Sequence, residues 1–158
     1  LVHYRDYGYF NLNVKSIFYL TQTLTPILAV TSSLEDPSRV INIGSVDGIN
    51  VPVIAAYAYG TSKAAVNHLT RILAKRLVQD NILVNAIAPG PYESMMLGAA
   101  VNHDYSFIES RNPRKRIGSP EDIAGLAIFL CSRAGAYTVG ATIPSDGGLV
   151  GTAGHDLS

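Results

Sequence analysis

Tyr59 and Lys63 stand four residues apart in the stretch Tyr57-Ala58-Tyr59-Gly60-Thr61-Ser62-Lys63. At that spacing on a helix two side chains lie one above the other on the same face, so the ammonium can sit beside the phenol. A phenol titrates near pH ~10 in water, and a fixed cation next to it favours the phenolate and brings proton exchange closer to neutrality. Tyr57 lacks this partner, because Thr61 occupies the matching position. Ser45 precedes Tyr59 by fourteen residues, enough for a loop to return its hydroxyl to the phenol. The two hydroxyls could then share one substrate oxygen: Ser45 holds it, Tyr59 gives it a proton and Lys63 keeps Tyr59 acidic. That is the equipment for taking a carbonyl to an alcohol. No side chain supplies hydride, so this chemistry calls for a nicotinamide cofactor. Tyr–Lys pairs also occur on solvated helix faces, and the meaning of this one depends on what surrounds it.

The surroundings are strands alternating with helices. Ile17, Leu20, Leu24, Ile27 and Leu28 recur at steps of three and four, predicting an amphipathic helix over 12–30 that Pro26 either kinks or brings to its last turn. The first ten residues show no clear period. A polar loop over 31–39 leads to a short strand at 40–44, which Gly44-Ser45 closes. Beyond a loop holding Gly48 and Pro52, a helix over 57–79 carries Tyr59 and Lys63, with Val66, Leu69, Ile72, Leu73 and Leu77 as its apolar stripe. Residues 82–88 read as a second strand stopped by Pro89-Gly90-Pro91, and 141–145 as a third despite Pro144. Ser119-Pro120-Glu121-Asp122 is a capped helix start, with proline in the first turn and two acids at the positive end of the dipole; that helix runs to about Ser132. The stretch 92–113 mixes Met95, Met96 and Leu97 with polar residues and is expected to form a movable flap over a pocket.

This alternation implies an α/β fold: a parallel sheet covered on both faces, with the strand over 82–88 between the other two. Ligands in such sheets bind beyond the carboxyl ends of the strands, where Ser45, Pro89 and Gly90 fall. The strand over 40–44 becomes a sheet edge with unpaired backbone groups, so self-association of the isolated chain is expected.

Composition narrows the classes. A chain of 158 residues fits one domain, and 47% hydrophobic with 15% charged residues suffices for a packed core. Twelve basic residues balance twelve acidic ones, leaving no net field to attract nucleic acid or an anionic membrane. No apolar run reaches about 18 residues and no signal-peptide pattern opens the chain, so neither a span nor export is expected, and the expected location is cytoplasmic. The single cysteine, Cys131, has no internal disulfide partner, and the preceding Ile128-Phe129-Leu130 predicts a buried thiol in a reducing compartment. His3, His68, His103 and His155 lack metal-ligand spacing, so no metal is assigned. No Gly-x-Ser-x-Gly turn makes Ser45 a hydrolase nucleophile, and Asp146 reads as a turn residue at a strand end.

With these residues in order, the chain resembles the short-chain dehydrogenase/reductase family. The likeness rests on Asn13-Val14-Lys15-Ser16, Ile43-Gly44-Ser45, Tyr59 to Lys63, Asn85-Ala86-Ile87-Ala88-Pro89-Gly90, Ser119-Pro120-Glu121-Asp122 and Asp146-Gly147-Gly148, which follow the family's sequence of motifs. Within the family, Ile43-Gly44-Ser45 and Tyr59 to Lys63 are most similar to 3-oxoacyl-acyl-carrier-protein reductases of the rhamnolipid-synthesis type. The resemblance implies that Asn13 joins Ser45, Tyr59 and Lys63 as a fourth catalytic member, holding a water in a proton relay. It implies NADP or NAD as cofactor, bound by Tyr59, Lys63, Pro89 and Gly90, with Lys63 on the nicotinamide ribose. The Tyr92 backbone and the Ser94 hydroxyl would serve the carboxamide. It also implies a small carbonyl or alcohol substrate, and a homo-oligomer formed through the helices over 12–30 and 57–79.

The departures set the remaining expectations. The family's Gly-x-x-x-Gly-x-Gly turn and its Asn-Asn-Ala-Gly segment are nowhere in this sequence, and the Ser45 to Tyr59 spacing is one residue longer than the family's commonest. Residues 1–158 therefore read as a single incomplete dinucleotide-binding domain: a partial Rossmann-like parallel sheet of about three strands with flanking helices, lacking the N-terminal Gly-rich βαβ unit. Two functions follow. One is an NAD(P)H-dependent oxidoreductase that reduces a 3-oxoacyl thioester or small ketone with Tyr59 as general acid. The other is a catalytically inactive truncated remnant that keeps an oligomerisation surface, since a cofactor site without its phosphate-binding turn loses its main anchor.

Overall fold

A computed structural model describes residues 7–52 and 56–152; His3 and His155 lie outside the described residues. Three strands, β1 (Ser38–Ile43), β2 (Ile82–Pro89) and β3 (Thr142–Ser145), form a parallel sheet in the order β1-β2-β3. Pairing runs from Ser38 with Ile82 to Ile43 with Ile87, and from Ala86 with Thr142 to Pro89 with Ser145. The expected arrangement, with the second strand in the middle, is the observed one. All three carboxyl ends meet at one edge of the sheet, which gathers Gly44-Ser45, Pro89-Gly90 and Ser145-Asp146.

The middle strand shows why the sheet assembles. Every residue from Ile82 to Ala88 is buried, because a parallel strand with neighbours on both sides and layers above and below has no solvent face. Its polar exception is Asn85. The Asn85 amide donates to the Thr138 carbonyl at 2.7 Å and its oxygen accepts the Ala141 N–H at 3.0 Å, sewing the segment before β3 to the middle of the sheet. Pro144 is tolerated because β3 is an outer strand among the described residues, where a missing N–H does least harm.

The first helical stretch begins earlier than its periodicity suggests: α1 (Tyr7–Phe10) passes through a π-helical turn, Asn11–Lys15, into α2 (Ser16–Thr31). Pro26 lies inside α2, and the helix continues past it. Ile17, Leu28 and Ala29 pack on the core, whereas Leu20, Leu24 and Ile27 face solvent. The predicted stripe is half covered because, among the described residues, the sheet stops at β1 and nothing extends beneath the rest of α2.

The helix α3 (Tyr57–Leu77) places Leu73, Ala74 and Leu77 against Ile82 and Val84 to make the core, with Val40 and Leu69 beside them. It closes through a tight turn, Val78–Asp80, and Asn81 then takes the left-handed conformation (φ 55°) that Asn tolerates best after Gly. Two short helices, α4 (Met95–Ala100) and α5 (Ser106–Arg111), fill the region between β2 and α6 (Pro120–Cys131). The start of α6 is built as its residues predict: the Asp122 carboxylate accepts the Ser119 N–H at 2.8 Å and is gripped by the two terminal nitrogens of the Arg116 guanidinium at 2.6 and 3.0 Å. One expectation fails here. Cys131 is exposed, not buried. Successive helical residues point about 100° apart, so the burial of Leu130 turns its neighbour outward, and an apolar run does not say which of its members faces in. No helix among the described residues is long and apolar enough to cross a membrane.

Candidate active site

The catalytic candidates come from three elements that converge where β1 ends. Ser45 follows β1 in an extended conformation and starts a single 3₁₀ turn, Val46–Gly48, its hydroxyl accepting the Asp47 N–H at 3.1 Å. That turn lies directly on α3: a Cβ on Gly48 would come within 2.5 Å of the Lys63 carbonyl carbon, so only glycine permits the approach. Ser45 is buried, and Tyr59 is held half-buried on the first turns of α3. Tyr9, from α1, meets the Tyr59 ring edge-on at a centroid distance of 5.9 Å.

The electrostatics differ from the expectation that Lys63 would acidify Tyr59. Burial pushes the Tyr59 phenol above its ordinary value; a hydrogen bond with Ser45 pulls it down, and the negative forms of Asp47 and Tyr9 push it further up. Loss of water is the largest of these influences. The Lys63 ammonium is itself buried, 5.7 Å from the centre of the Tyr59 ring, and donates at 2.8 Å to the Ile43 carbonyl at the end of β1. Burial also lowers the Lys63 pKa and raises that of the Asp47 carboxyl.

Asn13 lies in the π-helical turn, a distortion that tends to mark functional positions. Its amide donates at 2.9 Å to the hydroxyl of the fully buried Ser62, which in turn donates to the Tyr59 carbonyl at 2.7 Å. Asn13 is thus joined to the Tyr59 turn through Ser62. A groove of about 430 Å³ runs between α2 and β1, apolar along Ile17, Leu24 and Val40 and polar where Asn13 and Lys63 enter it.

The remaining predicted residues collect one strand over. Pro89 and Gly90 end β2, and the Gly90 N–H donates to the Ser145 carbonyl at 2.9 Å. Tyr92 pairs with Gly118 through a parallel bridge, and its phenol lies 2.6 Å from the Ser145 hydroxyl. Tyr92, Gly118 and Ser145, together with Arg114 and Asp146, line a cavity of about 560 Å³. Ser94 caps α4, its hydroxyl accepting the Leu97 N–H at 3.1 Å. Asp146 is the turn residue its position suggested: its carboxylate accepts the N–H groups of Gly148 and Val150 at 2.8 and 2.7 Å. Asp47 and Tyr9 were missed by the sequence reading. Asp47 carried a signal in standing two residues after Ser45, whereas Tyr9 sits in a segment without period.

Comparison with known proteins fits this arrangement. Residues 8–150 match a family profile described as enoyl-(acyl carrier protein) reductase. The rhamnolipids biosynthesis 3-oxoacyl-[acyl-carrier-protein] reductase of Pseudomonas aeruginosa is 50% identical over 141 residues, covering 87% of this chain and 55% of that protein. The 3-oxoacyl-[acyl-carrier-protein] reductase FabG of Thermotoga maritima is 37% identical over 141 residues, covering 89% of this chain and 55% of its own length. Among solved structures, the Pseudomonas aeruginosa RhlG/NADP active-site complex superposes with a TM-score of 0.84 at 48% identity, over 89% of this chain and 58% of that one. The chain thus spans about half the length of the curated relatives it matches. By its profile match, its identities and its parallel sheet, the chain belongs to the short-chain dehydrogenase/reductase family.

Proposed function

We propose that these residues form the carbonyl half of an NAD(P)H-dependent reductase site, reducing a 3-oxoacyl thioester or small ketone to the alcohol. The observation that carries this reading is the convergence of Ser45, Tyr59 and Lys63 at the carboxyl end of β1, where Lys63 bonds the Ile43 carbonyl at 2.8 Å and lies 5.7 Å from the centre of the Tyr59 ring. Ser45 orients the substrate oxygen, and Tyr59 donates a proton to it as negative charge develops there. Tyr59 is protonated at neutral pH, as a phenol is, and burial makes it a weaker acid, so its proton leaves only as charge builds on the bound oxygen. Lys63, partly stripped of water, holds a cation beside that event and shortens the reach to any phenolate left behind. Asn13, linked to the Tyr59 turn through Ser62, stands where it can order the water that returns a proton.

The residues present fit the nicotinamide end of the cofactor. The polar mouth of the groove at Asn13 and Lys63 suits a ribose, and Pro89, Gly90, the Tyr92 backbone and Ser94 lie at the neighbouring strand end for the carboxamide. When bound, NADP or NAD supplies the hydride. The RhlG complex was solved with NADP, which favours NADP for this chain. The domain reading is of one dinucleotide-binding unit over residues 1–158, without its glycine turn in this sequence. Phe18, Tyr19, Leu20, Ile27 and Val30 on α2, with Tyr57 and Ile72 on α3, expose large apolar side chains, which favours homo-oligomerisation through these two helices.

The test is the native protein with Tyr59→Phe, assayed by NAD(P)H oxidation against a 3-oxoacyl thioester and a panel of small ketones. Turnover should disappear while cofactor affinity stays near wild type, because only the transferable proton is removed. Near wild-type turnover in that variant would remove Tyr59 from the role of acid.

A further inference from the structure

The helix α3 carries a polar ladder that extends past the residues assigned to chemistry. Tyr59, Lys63 and Asn67 follow at successive steps of four on one face, and Thr70 continues the line. Each rung meets a different point near the end of β1. Thr70 accepts from the Asn42 amide at 2.9 Å, Lys63 donates to the Ile43 carbonyl at 2.8 Å, and the Asn67 amide donates to the Gly48 carbonyl at 3.2 Å.

Asn67 differs from the other rungs in what it spans. It touches both glycines that bracket Ser45: its Nδ2 holds the carbonyl of Gly48, and its Oδ1 would lie 2.6 Å from a Cβ on Gly44. The segment Gly44–Gly48 can therefore press onto α3 only where both ends lack a side chain and Asn67 fills the gap. Asn67 is 8% exposed, and its Oδ1 is buried with no hydrogen-bond partner among the described residues. Leaving a buried amide oxygen unpaired costs stability that a leucine of similar size would not incur. What the amide provides and a leucine cannot is the bond to Gly48, and with it the placement of Ser45. We propose that Asn67 is a positioning residue of the site, fixing the Ser45 hydroxyl against the Tyr59 phenol by tying the segment Gly44–Gly48 to α3.

This inference rests on the reading of Ser45 and Tyr59 given above, but its test does not need turnover. Tyrosine labelled with ¹³C at Cζ reports phenol ionisation by nuclear magnetic resonance, and Tyr59→Phe identifies the Tyr59 signal. The groups facing that phenol are Ser45 and Asp47 from the loop, Tyr9 from α1 and Lys63 from its own helix. Ser45→Ala removes the hydroxyl that lowers the Tyr59 midpoint, which should therefore rise. Asn67→Leu should raise the midpoint in the same way, and the double variant should rise no further than either single one, because both remove one interaction. Asn67→Ser, which disturbs packing less, should give the same coupling if Asn67→Leu folds poorly by circular dichroism. An unmoved midpoint in both Asn67 variants, or shifts that simply add to that of Ser45→Ala, would overturn the proposal. Loss of the carbonyl-reduction reading would show instead as turnover surviving in Tyr59→Phe, so the two failures are separate.

Discussion

Replacing Asn85 by alanine tests whether the site's frame is held as the structure indicates. Asn85 is 1% exposed in the middle of β2 and makes two hydrogen bonds, to the Thr138 carbonyl and from the Ala141 N–H, at 2.7 and 3.0 Å. Each such bond contributes about 1 kcal/mol net, and the Ala141 N–H left behind lies in a partly buried segment where water compensates only in part. The lost side-chain volume opens a small cavity in a buried strand, adding about another 1 kcal/mol. The sum is about 3 kcal/mol, or a factor on the order of 100 in the folding equilibrium, and a fall of roughly 6–12 °C in Tm for a domain of this size. The chain has no tryptophan, so urea unfolding is followed by far-ultraviolet circular dichroism. The midpoint should fall with the slope unchanged, since the surface exposed on unfolding is nearly the same. A loss below about 1 kcal/mol at constant slope would refute the claim that Asn85 sews β3 to the sheet.

The other predictions concern charge, edge and cofactor. Asp47 has its carboxyl pKa raised by burial, so ionising it opposes folding: the stability it contributes is fully present below its ordinary value of 3.8 and is lost as pH rises through its higher folded value. Asp47→Asn should therefore stabilise the chain at pH 7, with the gain fading in unfolding measurements below pH 3.8. Tyr59 follows the same sign at the other end of the scale. Its raised phenol favours the fold below its ordinary value of 10.0, and stability should drop as pH climbs above that, a drop that Tyr59→Phe removes. In the native protein, Lys63→Ala should raise the cofactor Kd as well as slow turnover, whereas Tyr59→Phe affects turnover alone. Among the described residues β1 presents an unpaired strand edge and α2 an exposed apolar face, so the isolated 158-residue chain should self-associate, and a monomer at high concentration in sedimentation would count against this. Calorimetry should show no saturable NADPH or NADH binding to those 158 residues at micromolar concentration, because the sequence holds no glycine turn to anchor the pyrophosphate.

What could be read from the sequence was whatever a local pattern imposes. A buried parallel strand must be apolar along its length, so Ile82 to Ala88 announced β2, and the capping residues Ser119 to Asp122 announced the start of α6. The spacing of Tyr59 and Lys63 placed both on one helical face, and Ser45 followed from where a strand had to end. What could not be read depends on how elements pack. Burial of Leu130 and exposure of Cys131 are set by the rotation of α6 about its axis, which an apolar run on both sides leaves open. The exposure of Leu20 and Ile27 depends on how far the sheet extends under α2, a property of the neighbours rather than of the helix.

The sign of the Tyr59 shift teaches the same lesson at the level of chemistry. A cation four residues away suggests an acidic tyrosine, but the outcome depends on how much water the fold removes from both groups. Here Lys63 spends its shortest bond on the Ile43 carbonyl, the phenol loses hydration, and Asp47 adds a negative charge that no helical spacing reveals. A phenol with a raised pKa stays protonated at neutral pH, as any phenol does, and gives its proton up less readily. Burial is the largest of these causes, Tyr9 adds to it from α1, and Asp47 and Ser45 arrive with opposite signs through the segment Gly44–Gly48, whose approach to α3 depends on glycines and on Asn67. The acidity of Tyr59 is thus set less by its spacing from Lys63 than by the burial and the neighbours that the fold brings to it.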